Sequence, residues 1–513
     1  MKENTRYFKL PKAPCYSTWV MILLFLPILS FGQIFYGMTY EGGDPFKQGG
    51  CIFRFNPSTN NEQKVWNFQQ AHTFDGANPI GALVYDSSRK IFFGMTGVGG
   101  RSFNGTIITY DPALKQENVA WNFKNTPGDG AGPWGETIYS DTLKQYFALT
   151  GSGGANGLGA IISFDPVKDT DLLLWSFGGG TDGQYPFSDM TYDAANKVFY
   201  GVTTRGGSAT YGTIFSFDPF TNQEQVLYNF GLTLNDGQIP EGRLVYNAGQ
   251  GLYYGVTGQG GDSGLGTIYS FNPGTNAVKV VWSFQGHNDG EDPLGSLVYD
   301  SAQGLYYGTA DYGGMGYEGI IFSFDPVKDT EKVVWNFGVV ANDGVSPYYQ
   351  TPVWDPLNNL FYGMTHFGGD MDEGVIYSFD PVKDTEVVVW NFGHGSDGAI
   401  PYGDLTYYDT TQEITGYAQV AAATGLVSVY PNPNNGKFNM ILSNQLVAGT
   451  NNGYSKHFSI QVYNVMGEIV YTSLLQADKN EINLESRAQG IYFYRVVGQD
   501  GGFVEDGKIV IQR

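Results

Sequence analysis

The pattern Asp-Gly-x-x-Pro returns seven times and constrains the fold more than any other feature of the sequence. Its aspartates are 53 or 54 residues apart, at Asp75, Asp129, Asp182, Asp236, Asp289, Asp343 and Asp397. Self-similarity at a fixed period of this length indicates a repeat architecture. The period from Gly242 to Pro293 contains four strand signals, RLVYN, GLYYGVT, GTIYSFN and VKVVWSF. Four short strands in about 50 residues are typical of a propeller blade, so we expect an all-β chain with a seven-bladed β-propeller over residues 33–409.

The repeats begin and end part-way through a unit. The first strand signal after residue 33, IFYGMT, corresponds to the second strand of a unit, and the last unit supplies only a first strand within residues 402–409. We therefore expect one four-stranded blade to combine Ile34–Phe68 with Tyr402–Asp409. Such a pairing closes the ring and removes an exposed strand edge.

The composition supports short strands joined by tight turns. Glycine accounts for 72 of the 513 residues, aromatic residues for 16% and charged residues for 15%. Disordered chains have few aromatic and many charged residues, and coiled coils are dominated by Ala, Glu, Lys and Leu, so both classes are excluded. The formal net charge of −22 argues against nucleic acid as a partner.

Residues 1–32 have the features of a secretory signal peptide. A basic head precedes an apolar run at 19–31, and small residues follow it, so we expect cleavage between Gly32 and Gln33. No second apolar run is long enough to span a bilayer, which predicts no transmembrane segment in the mature chain. Cys15 leaves with the signal peptide and Cys51 then has no disulfide partner.

The composition changes after residue 409. Residues 410–426 form a predicted linker, and residues 427–513 contain several strand signals separated by turn residues. Taken from these residues alone, 427–513 are a small all-β module.

The repeats resemble a known family. The segment LYYGVTGQGGDSGLGTIYSF at 252–271 and its six relatives are similar to the GloVer tandem repeat of secreted bacterial proteins. That resemblance implies export and a repeat scaffold, and it implies no established activity.

The C-terminal module resembles the sorting domain of the type IX secretion system of Bacteroidota. The resemblance rests on YPNPNNG (430–436), VYNVMGEIV (462–470), GIYFYRV (490–496) and the terminal KIVIQR. It implies an immunoglobulin-like β-sandwich, handling by the type IX secretion machinery, and attachment to the cell surface or release into the medium. The residues that carry the motif are Tyr430, Pro431, Asn432, Pro433, Gly436, Gly467, Gly490 and Tyr492.

No motif of the chain predicts catalysis, a metal or a cofactor. The GDSG within 260–266 lies in a repeated glycine-rich loop without matching His and Asp partners. The Asp-Gly-x-x-Pro and FDPVKDT motifs are better explained as turns with a capping aspartate than as calcium ligands. No two histidines have the spacing of metal ligands.

A single binding site would use residues that break the sevenfold repetition. The loops that join strands four to one and two to three lie at one end of a propeller, and both are glycine-rich and variable here. Aromatic, acidic and basic residues on that rim suit stacking and hydrogen bonding to a sugar or a peptide. Ordinary loop variation would give the same pattern. The candidate residues are Glu41, Trp134, Arg205, Glu241, Tyr312, Tyr348, Tyr349 and His366.

Three functions fit these observations. The first is a non-catalytic surface module that binds a glycan or a protein, and it rests on the rim aromatics and the missing catalytic motif. The second is a structural or adhesive surface component without a small ligand. The third is an extracellular polysaccharide hydrolase or lyase, which would need Glu41, Glu241 and Asp311 to converge at the mouth of the ring.

Overall fold

The computed structural model describes residues 33–43, 49–69, 74–140, 142–178, 180–409, 427–430, 434–442, 458–464, 469–475, 479–498 and 503–512. The predicted signal peptide and linker lie outside these residues. Contacts within the chain divide the protein into two compact units, and the boundary in the sequence falls after Asp409. The described residues form only strands and turns. None of them belongs to a helix with the length and apolar character that a bilayer span requires.

The first unit contains 35 described strands, most of them three to nine residues long. They are β1 (Gln33–Gly42), β2 (Cys51–Asn56), β3 (Asn61–Asn67), β4 (Gly76–Pro79), β5 (Val84–Asp86), β6 (Ile91–Gly99), β7 (Thr106–Asp111), β8 (Gln116–Asn122), β9 (Gly130–Pro133), β10 (Ile138–Ser140), β11 (Gln145–Gly153), β12 (Ala160–Asp165), β13 (Thr170–Ser176), β14 (Gly183–Gln184), β15 (Thr191–Asp193), β16 (Val198–Thr203), β17 (Arg205–Gly206), β18 (Thr213–Asp218), β19 (Gln223–Asn229), β20 (Gly237–Asn247), β21 (Leu252–Gly260), β22 (Thr267–Asn272), β23 (Ala277–Ser283), β24 (Val298–Asp300), β25 (Leu305–Ala310), β26 (Ile320–Asp325), β27 (Thr330–Asn336), β28 (Gly344–Val345), β29 (Val353–Asp355), β30 (Leu360–Thr365), β31 (Phe367–Gly368), β32 (Val375–Asp380), β33 (Thr385–Asn391), β34 (Gly398–Pro401) and β35 (Thr406–Asp409).

These strands pair as antiparallel sheets in which chain order is also spatial order. One sheet, for example, runs β20-β21-β22-β23, and the next runs β24-β25-β26-β27. The third and fourth strands of each sheet carry a register shift at the same place, such as Ile268/Tyr269 and Ile321/Phe322. A bulge there strengthens the local twist, as strongly twisted propeller-like sheets require. The prediction of an all-β chain built from four-stranded units is confirmed.

The hairpins between third and fourth strands are built as the sequence predicts. In the FDPVKDT segment at 164–170, the Asp165 carboxylate accepts the backbone N–H groups of Val167 and Lys168, at 3.0 and 3.2 Å. Asp169 then takes a positive φ of 51° before the fourth strand begins. The aspartate is therefore a turn cap, which is its preferred role in short connections.

The first sheet takes strands from both ends of the unit. Strand β35 pairs with β1 through Gln33↔Asp409, Ile34↔Tyr408, Phe35↔Tyr407 and Tyr36↔Thr406. Strand β34 pairs with the other end of β1, from Thr39↔Pro401 to Gly42↔Gly398. The inner edge of β1 is thus covered along its length by residues from the end of the unit.

Two adjacent aromatic residues in each second strand connect neighbouring sheets. Successive strand residues point to opposite faces, so one ring contacts the preceding sheet and the other contacts the following sheet. The contacts, with ring-centroid distances, are Tyr36–Phe92 (4.5 Å), Phe93–Tyr146 (4.2 Å), Phe147–Phe199 (4.9 Å), Tyr200–Tyr253 (5.1 Å), Tyr254–Tyr306 (4.9 Å), Tyr307–Phe361 (5.1 Å) and Tyr362–Phe35 (4.9 Å). The last of these contacts brings the series back to its first strand.

Buried carboxyl groups meet at most boundaries between consecutive sheets. A carboxyl on the fourth strand of one sheet faces the turn aspartate that follows the fourth strand of the preceding sheet. The pairs are Glu62 with Asp397, Glu117 with Asp75, Asp171 with Asp129, Glu224 with Asp182, Glu331 with Asp289, and Glu386 with Asp343. Burial, reinforced by the facing carboxylate, raises the pKa of Glu62 and Glu224 to about 8 and that of Glu386 to about 9. Each pair therefore holds a proton at neutral pH.

One boundary replaces the acid pair with a different arrangement. Val278 occupies the fourth-strand position opposite Asp236, and Tyr228 stands where the other sheets have tryptophan. The Tyr228 hydroxyl donates a hydrogen bond to the Asp236 carboxylate at 3.0 Å. The same turn aspartate is therefore satisfied by a phenol where the second carboxyl is missing.

The second unit consists of two antiparallel sheets around one apolar core. Its strands are β36 (Val427–Tyr430), β37 (Lys437–Leu442), β38 (Phe458–Tyr463), β39 (Ile469–Leu475), β40 (Lys479–Asn483), β41 (Gly490–Gly498) and β42 (Phe503–Ile511). The sheets run β36-β37-β40 and β39-β38-β41-β42. Ile460, Val462, Val496 and Ile509 are fully buried between them.

The structure describes some of the predicted sorting-motif residues of this unit. Gly436 has a φ of 106°, and a Cβ there would lie 2.9 Å from the Glu485 backbone, so only glycine fits. Tyr492 is buried, and its hydroxyl donates to the Ala488 carbonyl at 2.9 Å. Gly490 begins β41 and Tyr430 ends β36. Pro431, Asn432, Pro433 and Gly467 lie outside the described residues.

We expect the protein to lose stability as pH rises, because of the carboxyl pairs. Their folded-state pKa values lie above the unfolded values near 4, so the folded state binds more protons between about pH 5 and pH 9. Stability is then fully present below that window and falls as pH rises through it. Thermal melts across the window should show the midpoint falling by several degrees.

The variant Glu331→Gln should flatten this pH dependence, since it removes one titrating group and keeps its shape. Lys64 and Lys124 face two of the other pairs, so Glu331 is the cleaner choice. The sheet that carries Val278 has no carboxyl at this position, so it serves as the internal precedent for the substitution. An unchanged slope in Glu331→Gln would contradict the assignment.

We expect Tyr408→Ala to destabilise the first unit by about 3–5 kcal/mol, as for other buried aromatic truncations. Tyr408 is buried on β35 and contacts Tyr36 and Tyr85, at centroid distances of 5.6 and 4.7 Å. Tyr246→Ala, at a half-exposed first-strand position, is the control and should cost less than about 1 kcal/mol. Urea unfolding measures both, and equal small losses would mean that β35 contributes little.

Candidate functional site

One position after each Asp-Gly-x-x-Pro turn brings neighbouring repeats into direct contact. It lies three residues after the proline, or four in one repeat, and comprises Ala82, Glu136, Asp189, Arg243, Ser296, Thr351 and Asp404. Backbone N–H groups of this position donate to side-chain oxygens of the same position in the next repeat. Four such hydrogen bonds are Glu136 to Asp189 (2.5 Å), Arg243 to Ser296 (2.9 Å), Ser296 to Thr351 (3.0 Å) and Thr351 to Asp404 (2.6 Å).

This close approach depends on the residue before that position. A Cβ on Gly81 would lie 1.8 Å from the carbonyl oxygen of Gly135, and a Cβ on Gly295 would lie 2.2 Å from that of Gln350. Real Cβ atoms do not approach oxygen so closely, so glycine is required. Gly403 in turn approaches Gly81, which brings the last repeat against the second.

Four of these positions form what we call the inner charge cluster: Glu136, Asp189, Arg243 and Asp404. Arg243 lies 3.5 Å from a carboxylate oxygen of Glu136. Burial opposes its charge, yet the three carboxylates together raise its pKa. Burial raises the pKa of Glu136, Asp189 and Asp404, and Arg243 works against that rise. One guanidinium is thus the counter-charge of three buried carboxyl groups.

A small cavity lies between the inner charge cluster and a group of aromatic rings. Glu136, Asp189 and Asp404 line it together with Trp134, Phe187 and Tyr349. Its volume of about 40 Å³ is room for about two or three water-sized groups, and it is too small for a sugar ring. The Arg243 side chain is 38% exposed, although the protein around it is dense enough to desolvate its charge.

We call the ring group above the cavity the aromatic cluster: Trp134, Phe187, Tyr348, Tyr349, His366 and Tyr402. Trp134 contacts Phe187, Tyr349 and Tyr402 at centroid distances of 4.8, 5.9 and 6.2 Å. His366 stacks on Tyr348 at 5.2 Å and meets Tyr402 edge-on at 4.4 Å. The rings come from four repeats, and most of them are half-buried, with part of their surface open. Burial lowers the pKa of His366 to about 4, so its imidazole is neutral.

Three acidic residues next to these rings form the acidic triad: Glu241, Asp292 and Asp311. Burial raises the pKa of Glu241 to about 8 and that of Asp292 and Asp311 to about 6. The Tyr349 hydroxyl donates to Glu241, and the Ser346 hydroxyl donates to Oδ1 of Asp311. Oε2 of Glu241 and Oδ2 of Asp311 are buried without a geometric hydrogen bond, and the same holds for carboxyl oxygens of the boundary pairs, such as those of Glu62, Glu224 and Asp397.

Most of the residues predicted for the rim lie together. Trp134, Tyr348, Tyr349 and His366 belong to the aromatic cluster, and Glu241 belongs to the acidic triad. Tyr312 hydrogen-bonds with Asp311 and is 48% exposed. Arg205 is exposed, and its positive charge opposes the rise in the pKa of Glu241. Glu41 lies apart from the triad, beside Glu373.

Several residues of the site escaped the sequence analysis. Tyr402 contacts five other rings, including Tyr40 at 5.4 Å. The charge of Asp292 acts on both Glu241 and Asp311. The inner charge cluster was missed altogether. The sequence did contain a hint of this cluster. At the position three residues after the repeated proline, four repeats have a charged residue where the others have a small one.

Fold and site together define an all-β, propeller-like repeat protein with asymmetric loops and a C-terminal export module. The Gloeobacter/Verrucomicrobia repeat matches three overlapping stretches, residues 28–198, 149–352 and 200–430, well over half of the chain. The Secretion system C-terminal sorting domain matches residues 428–512. The chain belongs to the Gloeobacter/Verrucomicrobia repeat family and carries a type IX sorting domain, so both predicted resemblances are confirmed. The sorting domain indicates secretion to the cell surface or the extracellular space.

Solved structures with similar folds are distant in sequence. TolB from Acinetobacter baumannii is 13% identical with a TM-score of 0.37, covering 58% of this chain and 62% of TolB, less than two thirds of its length. A provisionally assigned 6-phosphogluconolactonase from Bacteroides uniformis is 15% identical with a TM-score of 0.48, covering 74% and 99%. Oligogalacturonate lyase from Vibrio parahaemolyticus is 10% identical with a TM-score of 0.42, covering 68% and 91%. No curated protein sequence matches the chain.

We expect Arg243→Met to destabilise the first unit by about 2 kcal/mol at neutral pH, because three enclosed carboxyls lose their cation. The loss stays below the ~3–5 kcal/mol of a fully buried pair, since the Arg243 side chain is 38% exposed. It should shrink as pH falls and the carboxyls take up protons. Denaturant unfolding at several pH values measures it, with the exposed Arg205→Met as control. A pH-independent loss would point to packing instead of charge.

Proposed function

We propose that this chain is a non-catalytic cell-surface or secreted binding protein whose first unit is a closed seven-bladed β-propeller. The ligand, a glycan in our preferred interpretation, would bind on the aromatic cluster and the acidic triad. The single observation that carries the proposal is the convergence of half-buried aromatic rings from four repeats beside a group of carboxyls.

The cyclic series of second-strand aromatic contacts supports the closed ring. Seven contacts among the described residues link consecutive sheets, and the Tyr362–Phe35 contact returns to the first one. The apolar clusters follow the same order, and the last of them joins Phe35 and Phe53 to Tyr362 and Phe392. An open array of sheets would leave its two terminal faces without such a contact.

Half-exposed aromatic rings support a sugar ligand. Trp and Tyr present an apolar face for stacking and a polar group for hydrogen bonding. Because the cavity below them is too small for a sugar ring, a glycan would lie across the outer side of the aromatic cluster. A ring-lined surface outside the cavity suits an extended chain better than a small enclosed substrate.

The arrangement of the carboxyls favours binding over hydrolysis. The hydrolase alternative would need Glu41 to act with Glu241 and Asp311, and Glu41 neighbours Glu373 instead. Glu241 is held by the Tyr349 hydroxyl and Asp311 by the Ser346 hydroxyl, which fixes both groups in place. The experiment below tests binding against two alternatives. One is a hydrolase or lyase, and the other is a structural role without a small ligand.

We expect a glycan class to raise the thermal midpoint of the mature chain in a dose-dependent way in a thermal-shift screen. In titrations with that glycan, Trp134→Ala should weaken binding at least about tenfold, since a stacking platform is lost. Phe220→Ala, a half-exposed ring on a remote hairpin, is the control and should bind normally.

Three results would count against the proposal. Binding that survives Trp134→Ala would move the site away from the aromatic cluster. Shortened products in the glycan incubations would favour the hydrolase or lyase. A screen without any glycan hit would favour the structural or adhesive role.

A further inference from the structure

An open groove runs between the end strands of two neighbouring sheets, β13 and β19. Trp175 of β13 lines it from one sheet, and Glu224 and Gln225 of β19 line it from the next. Its volume is about 550 Å³, against about 40 Å³ for the small cavity beside the inner charge cluster. The groove is therefore large enough to admit a side chain of another molecule. The remaining lining residues are Thr181, Asp182, Ser208, Val226 and Asn229.

The preceding repeat shows what fills the corresponding place there. Its fourth-strand tryptophan is Trp121, and Lys124 follows three residues later. The ammonium nitrogen of Lys124 lies 4.9 Å from the centroid of the Trp121 ring. Its charge also opposes the rise in the pKa of Asp171, the counterpart of Glu224. An ammonium group on an apolar stem is thus held between an aromatic face and a carboxyl, as in other cation–π contacts.

The residue three positions after Trp175 is Gly178, which has no side chain to place over the ring. The backbone does not require glycine there, because its φ is not positive and an added Cβ would contact only side-chain atoms. These atoms are Oδ2 of Asp182 at 3.3 Å and Nδ2 of Asn156 at 3.8 Å. In three other repeats the glycine at this position has a positive φ, and a neighbouring side chain lies 2.5 to 2.8 Å from the Cβ position. The pairs are Gly231 with Tyr211, Gly338 with Glu318, and Gly393 with Glu373.

The groove has the charge that suits a cation. Burial and the facing Asp182 raise the pKa of Glu224 to about 8, so the pair holds one proton and keeps one negative charge at neutral pH. The residues that line the groove include no basic side chain. A positively charged group would therefore meet attraction without competition, whereas an anionic group would be repelled.

We propose that this groove binds a lysine side chain of a partner protein at the place that Lys124 fills in the preceding repeat. The ammonium group would lie over Trp175 beside Glu224 and Asp182, with the methylene stem along the groove. A cation–π contact at an exposed site is weak, so most of the partner's affinity would come from contacts around the lysine. The proposal does not depend on glycan binding at the aromatic cluster, and the failure of either would leave the other intact.

The test follows single tryptophans by fluorine NMR of the mature chain labelled with fluorotryptophan. Trp175→Phe and Trp121→Phe assign the two resonances. The probe is a capped peptide of alternating lysine and glycine, compared with the same peptide carrying acetylated lysines. We expect the lysine peptide to shift the Trp175 resonance saturably and to bind at least about fivefold more tightly than the acetylated peptide. Equal responses to the two peptides, or no response at Trp175, would overturn the proposal.

Two substitutions connect the response to the open place. Gly178→Lys introduces the residue of the preceding repeat, so the Trp175 resonance should stop responding, and Gly178→Ala is the matched control that should still respond. Lys124→Gly makes the reverse change, and the Trp121 resonance should then respond to the lysine peptide. Thermal melts check that each variant folds, and the two changes in different repeats keep the test decisive if one does not. A Trp175 that still responds in Gly178→Lys, or a Trp121 that stays silent in Lys124→Gly, would contradict the proposed site.

Discussion

The contact between second-strand aromatic rings is the interaction on which the rest of the first unit depends. Each second strand carries two adjacent rings, and the pleat sends them to opposite neighbours. Tyr254, for example, packs on Tyr306, while Tyr253 packs on Tyr200. Because every sheet is held from both sides in this way, the short connecting loops carry little of the packing. They are free to differ between repeats, and that freedom allows Trp134, Tyr349 and Tyr402 to converge where other repeats have Ile80 or Leu294.

Much of this architecture could be predicted from the sequence, because it follows from local patterns. Asp165 caps its turn as expected, and the fourth-strand Phe residues are buried as the alternation implies. The convergence of side chains from distant repeats could not be predicted, since it depends on how closely the sheets approach each other at their inner ends. Arg243 looks like one more surface charge in the sequence, and only the approach of Gly81, Gly135 and Gly295 to neighbouring backbones encloses it. The pairing of Glu117 with Asp75 could not be predicted for the same reason. The two residues are 42 positions apart, and in the sequence each resembles an ordinary surface acid.

The unit contains two kinds of buried acid, and they have different partners. The boundary pairs, such as Glu386 with Asp343, meet each other and share a proton. The inner acids Glu136, Asp189 and Asp404 meet a guanidinium. The acidic triad is a third arrangement, in which hydroxyl groups hold the carboxyls: Tyr349 donates to Glu241, and Ser346 donates to Asp311.

The pairing of β1 with β35 also has a consequence for the order of events during synthesis and export. Strand β1 is the first strand to leave the ribosome, and its partner β35 is made 370 to 376 residues later, before the sorting domain. A nascent or broken chain that lacks β35 therefore lacks the export signal too. Any molecule that the secretion machinery can recognise already contains the strand that completes its first sheet. The order of the two units along the chain thus makes export through the sorting domain depend on translation having passed β35.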